Sequence, residues 1–272
     1  MSRVDLHMHT TASDGTLSPE ELLVYAKEKG IEYCAISDHD TMDGYLQGKE
    51  KAKELGLTLI PAIEISTGYR GIGVHVLGYC LDPLNPSLEP VLNFVQKDRV
   101  RRNHQMIQLM QEDGIDISYE KLEEEYGDII GRPHMAKALM KLGLVSSISD
   151  AFDRYLKRGE KYYVKREYIS FVDAIEKIHA CGGIAILAHP YQYKYEGKDW
   201  EQFMLDAKNA DIDGIEVYYS GYDLEQIDTL LEIAKENNWI VTGGSDYHGT
   251  NKPHIDLGVV NVPDSCICKL LI

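Results

Sequence analysis

The sequence predicts an α/β fold, a β/α barrel interrupted once by an all-helical insertion. Three observations predict it. Short β-branched runs alternate with helical patterns in both terminal parts of the chain, the stretch between them is almost wholly helical in pattern, and polar residues suited to metal binding recur just after the strand-like runs. The expected division is a barrel domain made of residues 1–86 and 167–272, with a helical insertion, or cap, at 87–166. At 272 residues, 44% hydrophobic and 26% charged, the chain has a globular composition and enough length for one barrel core.

Each element has its own signal. RVDLH reads as the first strand; Ser18-Pro19-Glu20-Glu21 then supplies an N-cap, a first-turn proline and a capping-box glutamate ahead of the helix LLVYAKEKG. EYCAIS is the second strand, MDGYLQGKEKAKELG a helix, and LTLIPAIEIS the third strand. GVHVLGYC forms a fourth, with a hairpin to its predecessor as one option. LDPLNPSLEP breaks the pattern, and four helical stretches come after it: VLNFVQKDRVRRNHQMIQLMQEDG, YEKLEEEY, RPHMAKALMKLG and SISDAFDRYLKRG. Alternation resumes with FVDAIEKIHACGG, GIAILAHP, DGIEVYY, LEQIDTLLEIAKENN and WIVTGGSDYHG. The strand-like runs lack clean polar alternation, as strands covered on both faces do.

Charge and cysteine content narrow the function classes. The net charge is −16, which disfavours a duplex nucleic-acid coat or an anionic-membrane binder. The charge is uneven: residues 91–166 hold 14 basic and 12 acidic residues, so a slightly basic insertion sits in a strongly acidic barrel sequence. No apolar run approaches the roughly 18 residues of a spanning helix, and MSRVDLHMHT lacks a signal-peptide core, so a cytoplasmic protein is expected. Five cysteines, only two of them close together, read as free thiols; Cys266 and Cys268 lack the partner pair of a metal site.

The chemistry gathers after the strands. His7, His9 and Asp14 follow the first, Asp38, His39 and Asp40 the second; Glu64 closes the third, His75 lies in the fourth, His189 follows GIAILA, and Asp246 and His248 follow WIVTGGS. In a β/α barrel, strand ends converge on one mouth. His7 and His9, two apart on a strand, point to one side. Six histidines and three carboxylates (His7, His9, Asp14, His39, Glu64, His75, His189, Asp246 and His248) are the ligand candidates. They are too many for one ion; two ions are possible and three fit better, particularly with Glu64 as a bridge. Imidazole and carboxylate without thiolate suit Mn²⁺, Fe²⁺ or Zn²⁺; Mn²⁺ is the first expectation.

HMHTTASDG, SDHDT, Glu64, His75, AHP and GSDYHG together resemble the PHP (polymerase and histidinol phosphatase) metal-dependent phosphoesterases, over residues 3–260. The resemblance implies a distorted (β/α)7 TIM-like barrel and a trinuclear centre. It would place His7, His9, Glu64 and Asp246 on one ion, Glu64, His75 and His189 on a second, and Asp14, His39 and His248 on a third. Asp14 departs from the family, where other members have His. The helical insertion resembles that of a branch acting as nucleoside 3′,5′-bisphosphate phosphatases and 5′→3′ exoribonucleases. The implied chemistry is in-line attack on phosphorus by a metal-activated hydroxide, with no protein nucleophile. The implied substrate is a phosphorylated nucleotide or short single-stranded RNA, without duplex, membrane or obligate protein partner.

Within the insertion, Gly131-Arg132-Pro133-His134 opens a helix where Arg132, His134 and the helix N-terminus can meet a phosphate. The resemblance makes this a 5′-phosphate pocket over the metals, whereas the residues alone fit a surface ion pair equally well. Lys161 matches a basic position of related phosphatases. Arg99 and Arg102, three apart on one helix, read as cleft cations or as a solvated face. His104, His179 and His254 read as structural or exposed, and YQYKY (191–195) as a possible base-stacking segment. Two other functions stay open: a phosphatase for another small monoester such as histidinol phosphate, and a non-catalytic module that binds nucleic acid.

Overall fold

The computed structural model describes residues 3–127 and 130–271. They group into two compact units, Met1–Leu92 with Tyr168–Ile272, and Asn93–Glu167.

In the first unit the strands are β1 (Val4–Met8), β2 (Tyr33–Ile36), β3 (Thr58–Tyr69), β4 (Ile72–Tyr79), β5 (Ile169–Ser170), β6 (Ile184–Leu187), β7 (Gly214–Tyr219) and β8 (Ile240–Gly244). Seven are joined in the order β1-β2-β3-β4-β6-β7-β8, and the short β5 pairs with β3. Neighbours are parallel except at β4, which runs antiparallel to both β3 and β6. The third and fourth strands are therefore a hairpin, and this inverted strand is the distortion in a TIM-like barrel. The ring closes where β8 meets β1: Asp246 N–H donates to the His7 carbonyl at 2.8 Å and His9 N–H to the Tyr247 carbonyl at 2.9 Å. Gly244 permits that approach, since a Cβ there would lie 2.4 Å from the His7 backbone nitrogen.

The helices of this unit are α1 (Pro19–Glu28), α2 (Asp43–Leu55), α7 (Phe171–Ala180), α8 (Gly197–Asn209) and α9 (Leu224–Asn237). α1 has the expected start: the Ser18 side chain accepts from Glu21 N–H, and Glu21 reaches back to the Ser18 backbone. Val4, Leu6, Ala35, Ala62, Leu77, Tyr79 and Ile186 make one buried cluster, with the Tyr79 hydroxyl donating to the Leu6 carbonyl at 2.8 Å. Leu22, Leu23 and Ala26 of α1 cover Cys34 and Ile36 of β2 in a second. Burial of such side chains contributes about 1.5–3 kcal/mol each.

The second unit holds most of α3 (Glu89–Glu112), then α4 (Tyr119–Tyr126), α5 (Arg132–Lys141) and α6 (Ile148–Ala151), which runs into a π-helical turn at Phe152–Leu156. Met106, Met110, Met135, Leu139 and Leu156 belong to its own core. Among the described residues no helix is long and apolar enough to cross a membrane.

Candidate metal centre

The strand termini bring all nine sequence-selected donors together. His7 is the last residue but one of β1, with His9 and Asp14 in the turn beyond; His39 follows β2, His189 follows β6, and Asp246 and His248 follow β8. Glu64 lies within the long β3, bridged to His39 across the β2 terminus. His75 sits inside β4 opposite Ser66 of β3. Because β4 is inverted, its early residues lie level with the ends of β3 and β6, and a mid-strand histidine reaches the same mouth.

Glu64 is fully buried at the centre and turns its two oxygens toward different donors. Oε1 lies 2.8 Å from His189 Nε2 and 2.9 Å from His75 Nδ1. Oε2 lies 3.0 Å from His39 Nδ1 and 3.3 Å from both His7 Nε2 and His9 Nε2. Asp246 Oδ1 faces His9 Nε2 at 3.3 Å and His7 Nε2 at 3.6 Å. Asp14 Oδ1 lies 3.2 Å from His248 Nε2 and 4.0 Å from His39 Nε2. Four overlapping clusters with metal-compatible spacing result: His9-Asp14-His39-His248, His7-His9-Asp246, His7-Glu64-His189 and His39-Glu64-His75.

The arrangement fits cations. His7 Nε2, both ring nitrogens of His9, Asp14 Oδ1, His39 Nδ1, Glu64 Oε2 and His75 Nδ1 are buried without hydrogen-bond partners. Buried polar atoms ordinarily have partners, and a convergent set of lone pairs is what a divalent ion satisfies. Electrostatics agree. Burial opposes charge on His9, but the facing carboxylates of Asp246 and Glu64 raise it to about 9, whereas burial prevails at His39 and pushes it down to about 3. Burial also works against ionising Asp14, Glu64 and Asp246, yet facing histidines, and Lys252 beside Asp246, hold all three carboxyls well below their usual range.

A second layer holds the donors. Asp38 accepts from Thr10 N–H (2.8 Å), the Thr10 hydroxyl (2.7 Å) and the Ser13 hydroxyl (2.5 Å), fixing the turn that carries Asp14. Asp40 accepts from Ser66 N–H at 2.7 Å and the Ser66 hydroxyl at 3.0 Å, so it braces β3 rather than joining the cluster. Asp246 Oδ2 accepts from the Tyr219 hydroxyl at 2.7 Å and Lys252 Nζ at 2.5 Å, leaving Oδ1 toward the imidazoles. His248 Nδ1 bonds the Asp246 carbonyl at 2.8 Å, which leaves Nε2 for Asp14. Asp40, His189 and Asp246 have φ of 60°, 26° and 58°, a left-handed backbone that non-glycine residues adopt at a cost.

Glu216, Tyr219 and Lys252 escaped sequence reasoning. Glu216 had a readable signal, a carboxylate inside the apolar strand GIEVYY, the same kind of anomaly as Glu64 in LTLIPAIEIS. Attention to residues after each strand passes over it.

The remaining candidates lie in the helical unit. Arg132 is the first residue of α5; its Nη1 donates to the Leu156 carbonyl at 3.3 Å and its guanidinium lies 5.3 Å from the Phe152 ring. His134 is buried, accepts from Gly131 N–H through Nδ1 at 3.0 Å, and stacks on Tyr126. Lys161 Nζ lies 2.5 Å from Asp113 Oδ2. Arg99 and Arg102 share α3, and Arg102 is buried. Of the other histidines, His104 stacks on Tyr119, His179 Nε2 bonds Asp213 at 2.8 Å, and His254 is exposed. Tyr191 already stacks on Trp200, with ring centres 4.5 Å apart. The clusters of metal-compatible donors contain no cysteine among the described residues, and all five thiols are free.

A β/α barrel with histidines and carboxylates converging at its mouth defines a metal-dependent hydrolase. The PHP domain family matches residues 5–238, and the chain belongs to that family. It is 37% identical over 246 residues to a 5′-3′ exoribonuclease of Haemophilus influenzae, with 90% of each chain covered. It is 29% identical over 269 residues to a 3′,5′-nucleoside bisphosphate phosphatase of Chromobacterium violaceum, covering 98% of this chain and 94% of that one. A solved structure from Bifidobacterium adolescentis, assigned as a metal-dependent phosphoesterase, superposes with a TM-score of 0.89 and 32% identity, covering 98% and 95%. The chain is a metal-dependent phosphoesterase of this family.

Proposed function

We propose that the protein hydrolyses the 3′-phosphoester of nucleoside 3′,5′-bisphosphates, of short 5′-phosphorylated oligoribonucleotides in the 5′→3′ direction, or of both. The observation that carries this is Glu64, whose two oxygens serve two sets of imidazoles, as a bridge between metal sites requires. The likeness to an exoribonuclease and to a bisphosphate phosphatase, each over nearly the whole chain, supports the substrate class. Both substrates present a 3′-phosphoester and a 5′-phosphate. They differ only beyond the 3′ phosphorus, which carries a free oxygen in one and the next nucleoside in the other.

We assign three divalent ions, Mn²⁺ first, to the nine donors. One would be held by His7, His9, Glu64 and Asp246, a second by Glu64, His75 and His189, and a third by Asp14, His39 and His248. Bound there, such ions neutralise phosphate oxygens and make water a nucleophile near neutral pH. The protein's part is to hold the imidazoles and carboxylates in place: Tyr219 and Lys252 fix Asp246, and Asp38 fixes the turn carrying Asp14. We assign hydrolysis to the barrel (1–86 and 167–272) and recognition of the second phosphate to the insertion (87–166), through Arg132 and His134, with Arg99, Arg102 and Lys161 as further cations. The charge of −16 favours a mononucleotide or a short single strand over a duplex.

Manganese-loaded protein offered adenosine 3′,5′-bisphosphate, a short 5′-phosphorylated RNA and histidinol phosphate tests the proposal. Turnover of either of the first two is expected. Hydrolysis of histidinol phosphate alone would overturn it.

A further inference from the structure

Glu216 is a fully buried carboxylate in the middle of β7, and its two oxygens are spent on two different donors of the metal centre. Oε1 lies 2.9 Å from His7 Nδ1, and Oε2 accepts from the backbone N–H of His189 at 2.9 Å. His7 lies near the end of β1 and His189 follows β6, so a single side chain ties two points of the barrel mouth that are far apart in sequence.

We infer that Glu216 is a positioning residue that sets the tautomer of His7 and the backbone of His189 for metal binding. This rests on the metal reading of the site. A carboxylate can only accept, so the proton of a neutral His7 ring belongs on Nδ1. The lone pair is then on Nε2, 3.3 Å from Glu64 Oε2 and 3.6 Å from Asp246 Oδ1, where a ligand is needed. Carboxylates behind metal-bound imidazoles fix ring orientation and raise basicity in this way.

The second bond acts on the main chain. His189 has φ 26° and ψ 59°, an uncommon conformation for a residue with a side chain. Glu216 Oε2 holds its N–H, and the turn so held places His189 Nε2 2.8 Å from Glu64 Oε1. His7 faces one oxygen of Glu64 and His189 the other, so Glu216 supports both sides of the bridging carboxylate. His248 gets its orientation locally, from the Asp246 carbonyl, and needs no such partner. A buried charge is costly unless it is paired and hydrogen-bonded, and these two bonds are what Glu216 is positioned to make.

Glu216→Gln separates positioning from packing because it keeps the shape. Its amide oxygen can still accept from His189 N–H, but the amide nitrogen then presents a donor to His7 Nδ1 and pushes the ring proton to Nε2. The test measures Zn²⁺ affinity of the wild type and variant, thermal melting of both without metal, and the imidazole N–H resonances of the zinc-loaded proteins by ¹⁵N-resolved NMR. The expected result is a metal-free variant that melts within a few degrees of wild type, binds zinc about 10–100-fold more weakly, and lacks the hydrogen-bonded Nδ1–H signal of His7. Unchanged zinc affinity with an unchanged His7 signal would overturn the inference while leaving the metal reading intact. A wild type that takes up no divalent ion would sink both. If the variant fails to fold, the zinc-loaded wild type decides, since His7 ligating through Nδ1 contradicts the inference.

Discussion

His189 Nε2 lies 2.8 Å from Glu64 Oε1, joining the end of one strand to the middle of another across 125 residues. The other Glu64 oxygen faces His7, His9 and His39, so removing its charge affects both sides at once. Glu64→Gln keeps the volume and removes the bridge. The variant is expected to fold, to hold more than one fewer ion per chain than wild type by elemental analysis, and to lose at least about 100-fold in phosphate release, the scale of a lost electrostatic stabiliser. A variant with undiminished metal content would show that Glu64 does not bridge.

Partnerless lone pairs should make the protein's stability depend on metal. Ligand that binds only the folded state at 100 times its dissociation constant stabilises by about 2.7 kcal/mol per site, which for a chain of this size raises the melting temperature by about 5–10 °C. Mn²⁺ added to chelator-treated protein should produce a saturable rise of at least that size. Binding also needs neutral rings, and His9, raised to about 9 by its carboxylate partners against the effect of burial, must give up a proton. Apparent affinity should therefore increase with pH from 6 toward 9, with protons released on binding. Calorimetry in buffers of different ionisation enthalpy counts those protons, and a pH-independent affinity would contradict the assignment.

The convergence of the candidate donors was legible because a barrel gathers strand ends, so a rule about position in sequence became a rule about position in space. His75 was found in its strand although its place at the mouth depends on β4 running backwards, which local patterning does not reveal. Helix α1 was legible through Ser18, Pro19 and Glu21, whose effects are local. Helix α8 was missed: Glu196 gives no side-chain cap, and the buried stripe is only Phe203, Met204 and Ala207. The stretch after Ser147 reads as one helix but divides into a short α-helix and a π-turn, since its period changes without a proline or glycine to mark it. Two-residue β5 is too short for any periodicity and exists through its pairing with β3. Lys252 and Tyr219 act on Asp246 only through tertiary contact.

Gly44, in the first turn of α2, lets that helix pack on the Asp38 side chain. A Cβ there would fall 1.9 Å from Asp38 Oδ2 and 2.8 Å from Ile36 Cγ2. Asp38 cannot retreat without releasing Thr10 and Ser13. Gly44→Ala should cost about 1–3 kcal/mol in urea unfolding, the usual scale of overpacking. Metal uptake should fall as well, because the released turn carries Asp14. Unchanged stability would mean that the helix shifts freely, contrary to the buried setting of Asp38.

The thiols should separate by reactivity. Burial pushes Cys34 up to about 12, with help from the Asp5 charge, and Cys266 likewise to about 12. Only about one part in 10⁴ of such a thiol is the reactive thiolate at pH 8. Cys268 is exposed. Iodoacetamide on the native protein should modify Cys268 first, with Cys34 and Cys266 labelled only after unfolding, as peptide mass spectrometry would read.

Arg132 offers the sharpest test of what the insertion contributes to the proposed reaction. It stands at the start of α5 beside the helix N-terminus, its guanidinium held near Phe152 and the Leu156 carbonyl. The fork of N–H donors on a guanidinium and the N-terminal end of a helix both suit an anion. A charge-assisted hydrogen bond to phosphate contributes about 1.5–3 kcal/mol, or roughly 10–150-fold in kcat/KM. Arg132→Ala should therefore lose that factor on adenosine 3′,5′-bisphosphate and on 5′-phosphorylated RNA. On a nucleoside 3′-monophosphate, which lacks the second phosphate, it should match wild type. Metal content measured in parallel should not change, since Arg132 is not among the nine donors. An equal loss on both substrate types would assign Arg132 to the stability of its own unit, where the Leu156 contact already gives it a structural role.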